Sequence, residues 1–349
     1  MNNHHALSTL LSQNPLWGQS DNSIWLSSCF TLSRNLASFP FPPKMTETDE
    51  KQLISQLKQT LIKTSPLNEG LHFDIQELST TEKEALAEHF LIEGEAKFYL
   101  VDASGSFLVK VQEEDHLSLY CMESASNWTT KWGKLSEVER AIGQIHDFAF
   151  SQKFGYLSSD PTLCGTGLTV EAILHIPCLI HLEEIEEILQ MALGEDVEAT
   201  GFGGGLEYIG DLIVIKNQFT LGVSEDHILD SVHKAGTNLM KLETERRTKL
   251  KEEFDPVMRD KISRAYGLLL HSLQLDTKEA FTALSLLKLG IDLQWVDGMT
   301  DQEISAIFYR CRRAHLALDS QEDLTPDQLA QKRAEYLKKQ CTKLKLTIE

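Results

Sequence analysis

The chain has 349 residues, 52 of them acidic and 33 basic, for a formal net charge of −19 with histidine neutral. Such a surface repels nucleic acid and anionic membrane as general partners, and it is a poor background for a polyanionic ligand unless basic residues gather locally. The 42% of hydrophobic residues suffice for a sizeable core, no apolar run is long enough to span a bilayer, and the N-terminus lacks a signal-peptide pattern, so a cytoplasmic protein is expected.

Cys29, Cys121, Cys164, Cys178, Cys311 and Cys341 form no Cys-x-x-Cys pair and no zinc spacing. Free, buried thiols are expected, with no metal site. Residues 1–23 are polar and predict a loose arm with one short helix. From Trp25 to Leu36, the alternation of Leu26, Ser28, Phe30 and Leu32 predicts a half-buried strand, in which Cys29 reads as a small core residue. Thr46 to Ile62 predicts an amphipathic helix capped by Thr46 or Thr48, with Leu53, Ile54, Leu57 and Leu61 as its apolar stripe. A second helix is expected from Thr81 to Phe90.

Residues 98–101 and 107–111 flank Ala103-Ser104-Gly105 and predict a hairpin. It delivers Glu113-Glu114-Asp115-His116-Leu117-Ser118, which by itself reads as a solvated acidic turn. Lys134 to Gln152 predicts a helix with Val138, Ile142, Ile145, Phe148 and Ala149 on one face. Then come Phe154-Gly155-Tyr156 and Gly165-Thr166-Gly167-Leu168-Thr169, leading into an apolar strand from Val170 to Pro177. Two glycines there suit a tight turn and a close backbone approach. The glycine-rich run from Gly201 to Gly205 lacks both a Gly-Lys-Ser/Thr ending and dinucleotide spacing. Helices are predicted at 182–193 and 226–253, and beyond Asp255-Pro256 the pattern is wholly helical: 257–275, 278–289, 301–318 and 325–344.

Several of these words occur together in one known family. Ser27-Ser28 with Arg34-Asn35-Leu36, the Glu-Glu-Asp-His-Leu run, Phe154-Gly155-Tyr156 through Gly-Thr-Gly-Leu, and the stretch Asn217 to Glu225 resemble the phosphagen (guanidino) kinase family. Arg264-Ala265-Tyr266-Gly267 and Leu286 to Leu293 resemble the helical C-terminal domain of its protein-arginine kinase (McsB) branch. The resemblance runs from about residue 24 to the C-terminus. It implies an α+β fold: a phosphagen-kinase-like (glutamine-synthetase-like) antiparallel sheet flanked by helices, then an all-helical C-terminal domain. It also implies a division into a 1–23 arm, a 24–254 catalytic-fold domain, and a 255–349 domain for dimerisation and regulation.

The resemblance assigns Glu114 to the carboxylate that holds a substrate guanidinium and can act as base, a task suited to bidentate pairing. Five positions that supply phosphate-binding arginines in the family are Cys29, Thr31, Ser118, Thr169 and Ala199 here. The second substrate-binding Glu falls at Gly204, with Glu207 nearby. The family Cys falls at Asp160, and a nucleotide-contacting His at Phe90, or at His89 with a one-residue shift. Of a phosphoarginine-binding motif across 329–334, Arg333 and Ala334 remain, and Arg333 alone reads as an exposed, solvated helix residue.

The leading reading is therefore a pseudokinase: a degenerate phosphotransferase acting as a regulatory or scaffold protein, without a cofactor. The resemblance implies a homodimer, an activator of the McsA type and links to the Clp protease machinery. The alternative is an active protein-arginine kinase using Mg-ATP, its phosphate ligands rearranged (Lys110 or Lys216) or supplied by a partner. A third reading is a phosphoarginine-binding protein using Arg310, Arg312 and Arg313.

Overall fold

The computed structural model describes residues 7, 9–11, 20, 22–89, 94, 96–124, 128–181, 185–205, 207–320 and 324–347. Most of the 1–23 arm and Phe90 lie outside these. Leu7, Leu10 and Leu11, which are described, are buried. The fold is α+β, an antiparallel sheet flanked by helices with a helical C-terminal region. No helix among the described residues is long and apolar enough to cross a membrane.

The chain divides into two compact units, the first comprising Met1–Leu16, Ser28–Glu171 and Lys216–His233, the second Trp17–Ser27, Ala172–Ile215 and Lys234–Glu349. The strands are β1 (Trp25–Arg34), β2 (Leu71–Asp74), β3 (Phe98–Val101), β4 (Phe107–Val111), β5 (Leu117–Ser124), β6 (Phe150–Ser151), β7 (Gly155–Tyr156), β8 (Leu168–His175), β9 (Val197–Gly201) and β10 (Leu212–Asn217).

In the first unit the strand order is β2-β3-β4-β5-β1-β8, using the parts of β1 and β8 that belong to it. The predicted hairpin forms β3 and β4 in antiparallel register, Leu100 opposite Val109. Gly105 takes a φ of +71°, and the Asp102 carboxylate closes the turn by accepting from the Phe107 N–H at 2.8 Å. The first predicted helix spans Glu47–Leu61; Thr46 caps it in a reciprocal box with Asp49, and Leu53, Leu57 and Leu61 are buried. The second spans Thr80–Glu88, starting one residue ahead of the expected Thr81, and is capped by Ser79 with Glu82.

Two expectations change here. β1 is not half-buried: Ser28 to Phe30 are buried on both faces, and exposure begins only at Thr31 and Ser33. The strand is interior to the sheet, with Trp128 packed edge-on against Phe30 at 5.5 Å on one side and Tyr120 against Cys29 on the other. The predicted 134–152 helix instead spans Trp128–Gly143. Val138 and Ile142 are buried as expected, but Ile145 is 64% exposed. Phe148 and Ala149 are extended, bridging Leu36 and bonding the Asn35 carbonyl at 2.7 Å.

The Gly-Thr-Gly turn makes the close approach its glycines suggest. Gly165 pairs in both directions with Tyr156, Thr166 N–H donates to the Thr220 carbonyl at 3.0 Å, and the Gly167 carbonyl accepts from Ser33 N–H at 2.9 Å. Gly165 and Gly167 have φ of +112° and +61°. A Cβ at Gly165 would collide with the Thr220 carbonyl, and one at Gly167 would lie 2.7 Å from the Ser33 oxygen.

In the second unit the order is β1-β8-β10-β9, with helices Ile185–Leu193, Pro256–His271, Thr277–Asp292, Asp301–Arg310, Arg313–Ser320 and Pro326–Cys341. The expectation of a wholly helical end needs two corrections. A short ribbon pairs Val296 with Leu346 and Asp297 with Lys345. The 301–318 stretch is broken at Cys311, whose carbonyl accepts from Arg333 Nε at 2.8 Å. Arg333 is itself a correction. It is 4% exposed rather than solvated, and it also donates to the Leu275 carbonyl at 2.9 Å. A buried guanidinium that satisfies two carbonyls is a structural part of the helix packing.

The second unit also buries a polar chain. Glu243 accepts from Cys178 N–H, Leu179 N–H and Arg247 Nε, at 3.2, 3.0 and 2.8 Å. Arg247 continues to Asp292 and the His175 carbonyl. The Ser285 hydroxyl donates to Asp211 at 2.5 Å, so it accepts from His175 Nε2–H at 2.8 Å. That makes Nε2 a donor, Nδ1 faces the Arg247 guanidinium at 3.5 Å, and burial beside Arg247 and Lys288 holds the pKa well below the ordinary range and the imidazole neutral.

Two outcomes follow for stability. Gly165→Ala is expected to lower the unfolding free energy in urea by well over 1 kcal/mol. Gly204→Ala, at φ +83° with open space around the missing Cβ, is expected to cost only about 1 kcal/mol. Equal losses would refute the steric account of the turn. Because the folded His175 resists protonation, its contribution is complete above the unfolded value of about 6.5 and falls as pH drops below it. Unfolding free energy is therefore expected to be lower at pH 5 than at pH 7.5 on account of this residue; an unchanged or higher value at pH 5 would contradict the neutral assignment.

Candidate functional site

In the first unit β4, β5, β1 and β8 are neighbours, and alternate residues of each strand face one way. The result is a cleft whose floor is Leu108 and Lys110 from β4, Ser118 and Tyr120 from β5, Thr31 and Ser33 from β1, and Thr169 and Glu171 from β8. Glu113, Glu114 and Leu163 form its rim. Its volume is about 190 Å³, below the roughly 300–1,000 Å³ of ordinary small-molecule pockets.

The loop between β4 and β5 is held by its last two polar residues. Gln112 turns the chain at φ +60°. Asp115 is 5% exposed and accepts from Asn35 Nδ2 at 2.5 Å, Ser158 Oγ at 2.7 Å and Ser159 N–H at 2.7 Å. His116 N–H donates to Asn35 Oδ1, and its Nδ1 accepts from Leu36 N–H at 3.0 Å. Its Nε2–H therefore donates to the Pro40 carbonyl at 2.8 Å, and burial holds the ring neutral by lowering its pKa. With Asp115 and His116 anchored inward, Glu114 stands exposed at the rim. Glu113 is paired with Lys110 at 3.1 Å.

Thr31, Ser118, Thr169 and Glu114 are thus brought together in one cleft, as the resemblance implies. Cys29 is on the same face of β1 but buried, its sulfur accepting from the Tyr120 hydroxyl at 3.2 Å. Ala199 on β9 and Gly204 belong to the second unit, as does Arg333. Gly204 lies in an ordered turn, its N–H donating to the Gly201 carbonyl at 2.9 Å, and Glu207 is exposed and paired with Lys278. Asp160 caps the short turn Pro161–Leu163. His89 is a buried helix end.

Three features escaped the sequence reading. Glu171 adds a carboxylate to the floor; its position two residues beyond Thr169 on one strand was the available signal. The Lys110–Glu113 pair commits the cleft's ammonium group to a carboxylate already present. Arg34, although part of a matched family word, is 1% exposed and lies 2.9 Å from Glu139, with its ring-stacked guanidinium 3.6 Å over Tyr156. It braces the Gly-Thr-Gly turn by donating to the Thr166 carbonyl at 2.8 Å.

A polyphosphate does not fit this lining. Glu113, Glu114, Asp115 and Glu171 line it against Lys110, and Thr31, Ser118 and Thr169 carry neutral hydroxyls. Like charges at such range repel, and the partly buried setting weakens their screening.

Comparison with known proteins agrees with this architecture. The family model for the ATP:guanido phosphotransferase C-terminal catalytic domain matches residues 45–246, and that for the protein-arginine kinase McsB C-terminal domain matches residues 255–348. The protein-arginine kinase of Halothermothrix orenii is 32% identical over 326 residues, covering 91% of this chain and 93% of its own length. That of Chlamydia pneumoniae is 31% identical over 330 residues, with 91% of each chain covered. Among solved structures, lombricine kinase shares the fold at TM-score 0.56 and 20% identity, over 65% of this chain and 68% of that one. The duplicated taurocyamine kinase from Schistosoma mansoni, solved with transition state analogue components, does so at 0.59 and 20%, over 78% and 40%. The chain belongs to the ATP:guanido phosphotransferase (phosphagen kinase) family and carries the C-terminal domain of its protein-arginine kinases.

Proposed function

We propose that this chain is a member of the protein-arginine kinase branch that recognises protein arginine through Glu114 but does not itself transfer phosphate from ATP. It acts instead as a regulatory or scaffold protein in the cytoplasm. One observation carries this reading: Thr31, Ser118 and Thr169 meet in a cleft whose remaining charged residues are Lys110 against Glu113, Glu114, Asp115 and Glu171. Phosphoryl transfer depends on positioning and on neutralising charge at the transferred group, and one arginine aimed at that charge is worth about 10³–10⁵ in rate. Losses within such a cluster are not additive, but a single one already leaves a poor enzyme. Glu114, exposed at the rim, keeps the chemistry for pairing with a guanidinium. The partners that go with this reading are a second copy of the chain, an activator of the McsA type and the Clp protease machinery.

A second reading is an active protein-arginine kinase whose phosphate ligands are supplied by a partner protein. The relatives favour it, because proteins 31–32% identical over 91% of this chain are named protein-arginine kinases. Within the chain, Lys110 is the nearest basic group, and it would have to leave Glu113. The phosphoarginine-binding reading receives no support from Arg333, which is occupied by two carbonyls.

Calorimetry with millimolar Mg-ATP, on the chain alone and with a co-purified partner, separates the two readings. No saturable binding in either condition is the expected result. A Kd tighter than about 100 μM, near −5.5 kcal/mol, would make the kinase reading the stronger one. Glu114→Gln, assayed for protein phosphoarginine, would then be expected to abolish the product.

A further inference from the structure

A second concavity of the first unit lies apart from the cleft. Its volume is about 430 Å³, and its walls include Phe150, Phe154, Tyr156, Leu221, Glu225 and Asp226. Phe150, Phe154 and Leu221 are 59, 44 and 47% exposed, with Phe219 at 50% in the same loop as Leu221. Water-facing apolar side chains gathered in one place are unusual on a soluble surface and mark binding sites.

The walls are preformed. The short β6–β7 hairpin pairs Phe150 with Tyr156. Gly155 has a φ of +70°, and a Cβ there would lie 2.5 Å from the Gly165 oxygen. The loop carrying Leu221 is pinned by the Thr220 hydroxyl, which donates to the Thr162 and Cys164 carbonyls at 2.9 and 2.8 Å. The glycine-rich turn recognised in the sequence therefore does more than join strands, since it braces the hairpin and the 219–224 loop that form this concavity.

The charges choose the occupant. Glu225 and Asp226 stand on one wall, opposed by Lys153, which rests 5.0 Å over the Phe154 ring. The nearby Arg34 is held by Glu139 at 2.9 Å, reaches Glu225 only at 3.9 Å, and covers the Tyr156 face from the buried side. Asp226 has no ion pair among the described residues. Burial raises the Glu225 pKa, a cost that a further cation beside it would relieve. Aromatic faces with adjacent carboxylates recognise cationic groups.

We propose that this pocket docks a protein segment that carries a basic side chain beside an apolar one, with the cation over the aromatic faces against Glu225 and Asp226, and the apolar residue on Leu221 and Phe150. The site is independent of Glu114, so it holds whether or not the cleft binds arginine.

The test uses the full chain carrying Glu114→Gln, which removes the cleft's contribution, and two synthetic peptides, Leu-Arg-Leu-Arg and Leu-Glu-Leu-Glu. Calorimetry is expected to show saturable binding of the basic peptide only, weakened about three- to tenfold by Phe154→Ala and by Asp226→Asn. Both positions are exposed, so folding is retained, which circular dichroism checks. Absence of binding, equal binding of the acidic peptide, or indifference to both substitutions overturns the proposal. Binding that appears only with Glu114 restored places the peptide in the cleft and likewise overturns it.

Discussion

The Asp115 carboxylate is the constraint on which the site depends. Its three donors come from Asn35 at the end of β1 and from Ser158 and Ser159 after the β6–β7 hairpin, so one buried charge ties three chain segments together. An uncompensated carboxylate at that depth would be costly, and three hydrogen bonds offset the desolvation. His116 adds a second set of ties, to Asn35, Leu36 and Pro40. Once both side chains are anchored, the loop presents Glu113 and Glu114 at the rim of the cleft. The position of Glu114 is thus a consequence of packing behind it.

Charge then decides what the cleft can hold. The side chains that face it belong to adjacent strands, so their charges act on one small volume. Lys110 is matched by Glu113 at 3.1 Å, and the other charged residues lining the cleft, Glu114, Asp115 and Glu171, are all acidic. A cation entering such a space is favoured and a triphosphate is opposed, and no rotation of the hydroxyls of Thr31, Ser118 or Thr169 changes that sign. The contrast with Arg34 and Arg247 is instructive. The first unit does contain a guanidinium close to the matched motif, and the second buries another, but each is held by carboxylates and carbonyls and serves the fold.

Much of this was legible in the sequence. Two short apolar runs around an Ala-Ser-Gly turn located β3 and β4 to the residue, and threonines followed by acidic residues marked the first helix start, with Thr46 rather than Thr48 as its cap. The cleft positions Thr31, Ser118, Thr169 and Glu114 were found through family words, because one residue on each of several strands leaves no contiguous pattern. What stayed hidden depends on tertiary contacts. Arg333 and Arg247 look solvated in helices full of charge, and their burial follows from the carbonyls and carboxylates packed around them. The 134–152 helix was misplaced because Phe148 and Ala149 keep a helical spacing while their backbone bonds go to β1.

The pattern of retained and altered residues follows from the same physics. Gly165, Gly167, Arg34, Asp115 and His116 are each fixed by a steric or hydrogen-bonding demand that another residue type would violate. Thr31, Ser118 and Thr169 line a cleft, and Cys29 fills a small space under the Tyr120 hydroxyl, so none of them is demanded by the packing. Removing like-charged guanidiniums from one wall relieves their mutual repulsion in the absence of a ligand. On the reading proposed above, a chain under no requirement to bind triphosphate can lose that set and keep the scaffold, whereas the reverse order of loss would destroy the sheet before it altered the chemistry.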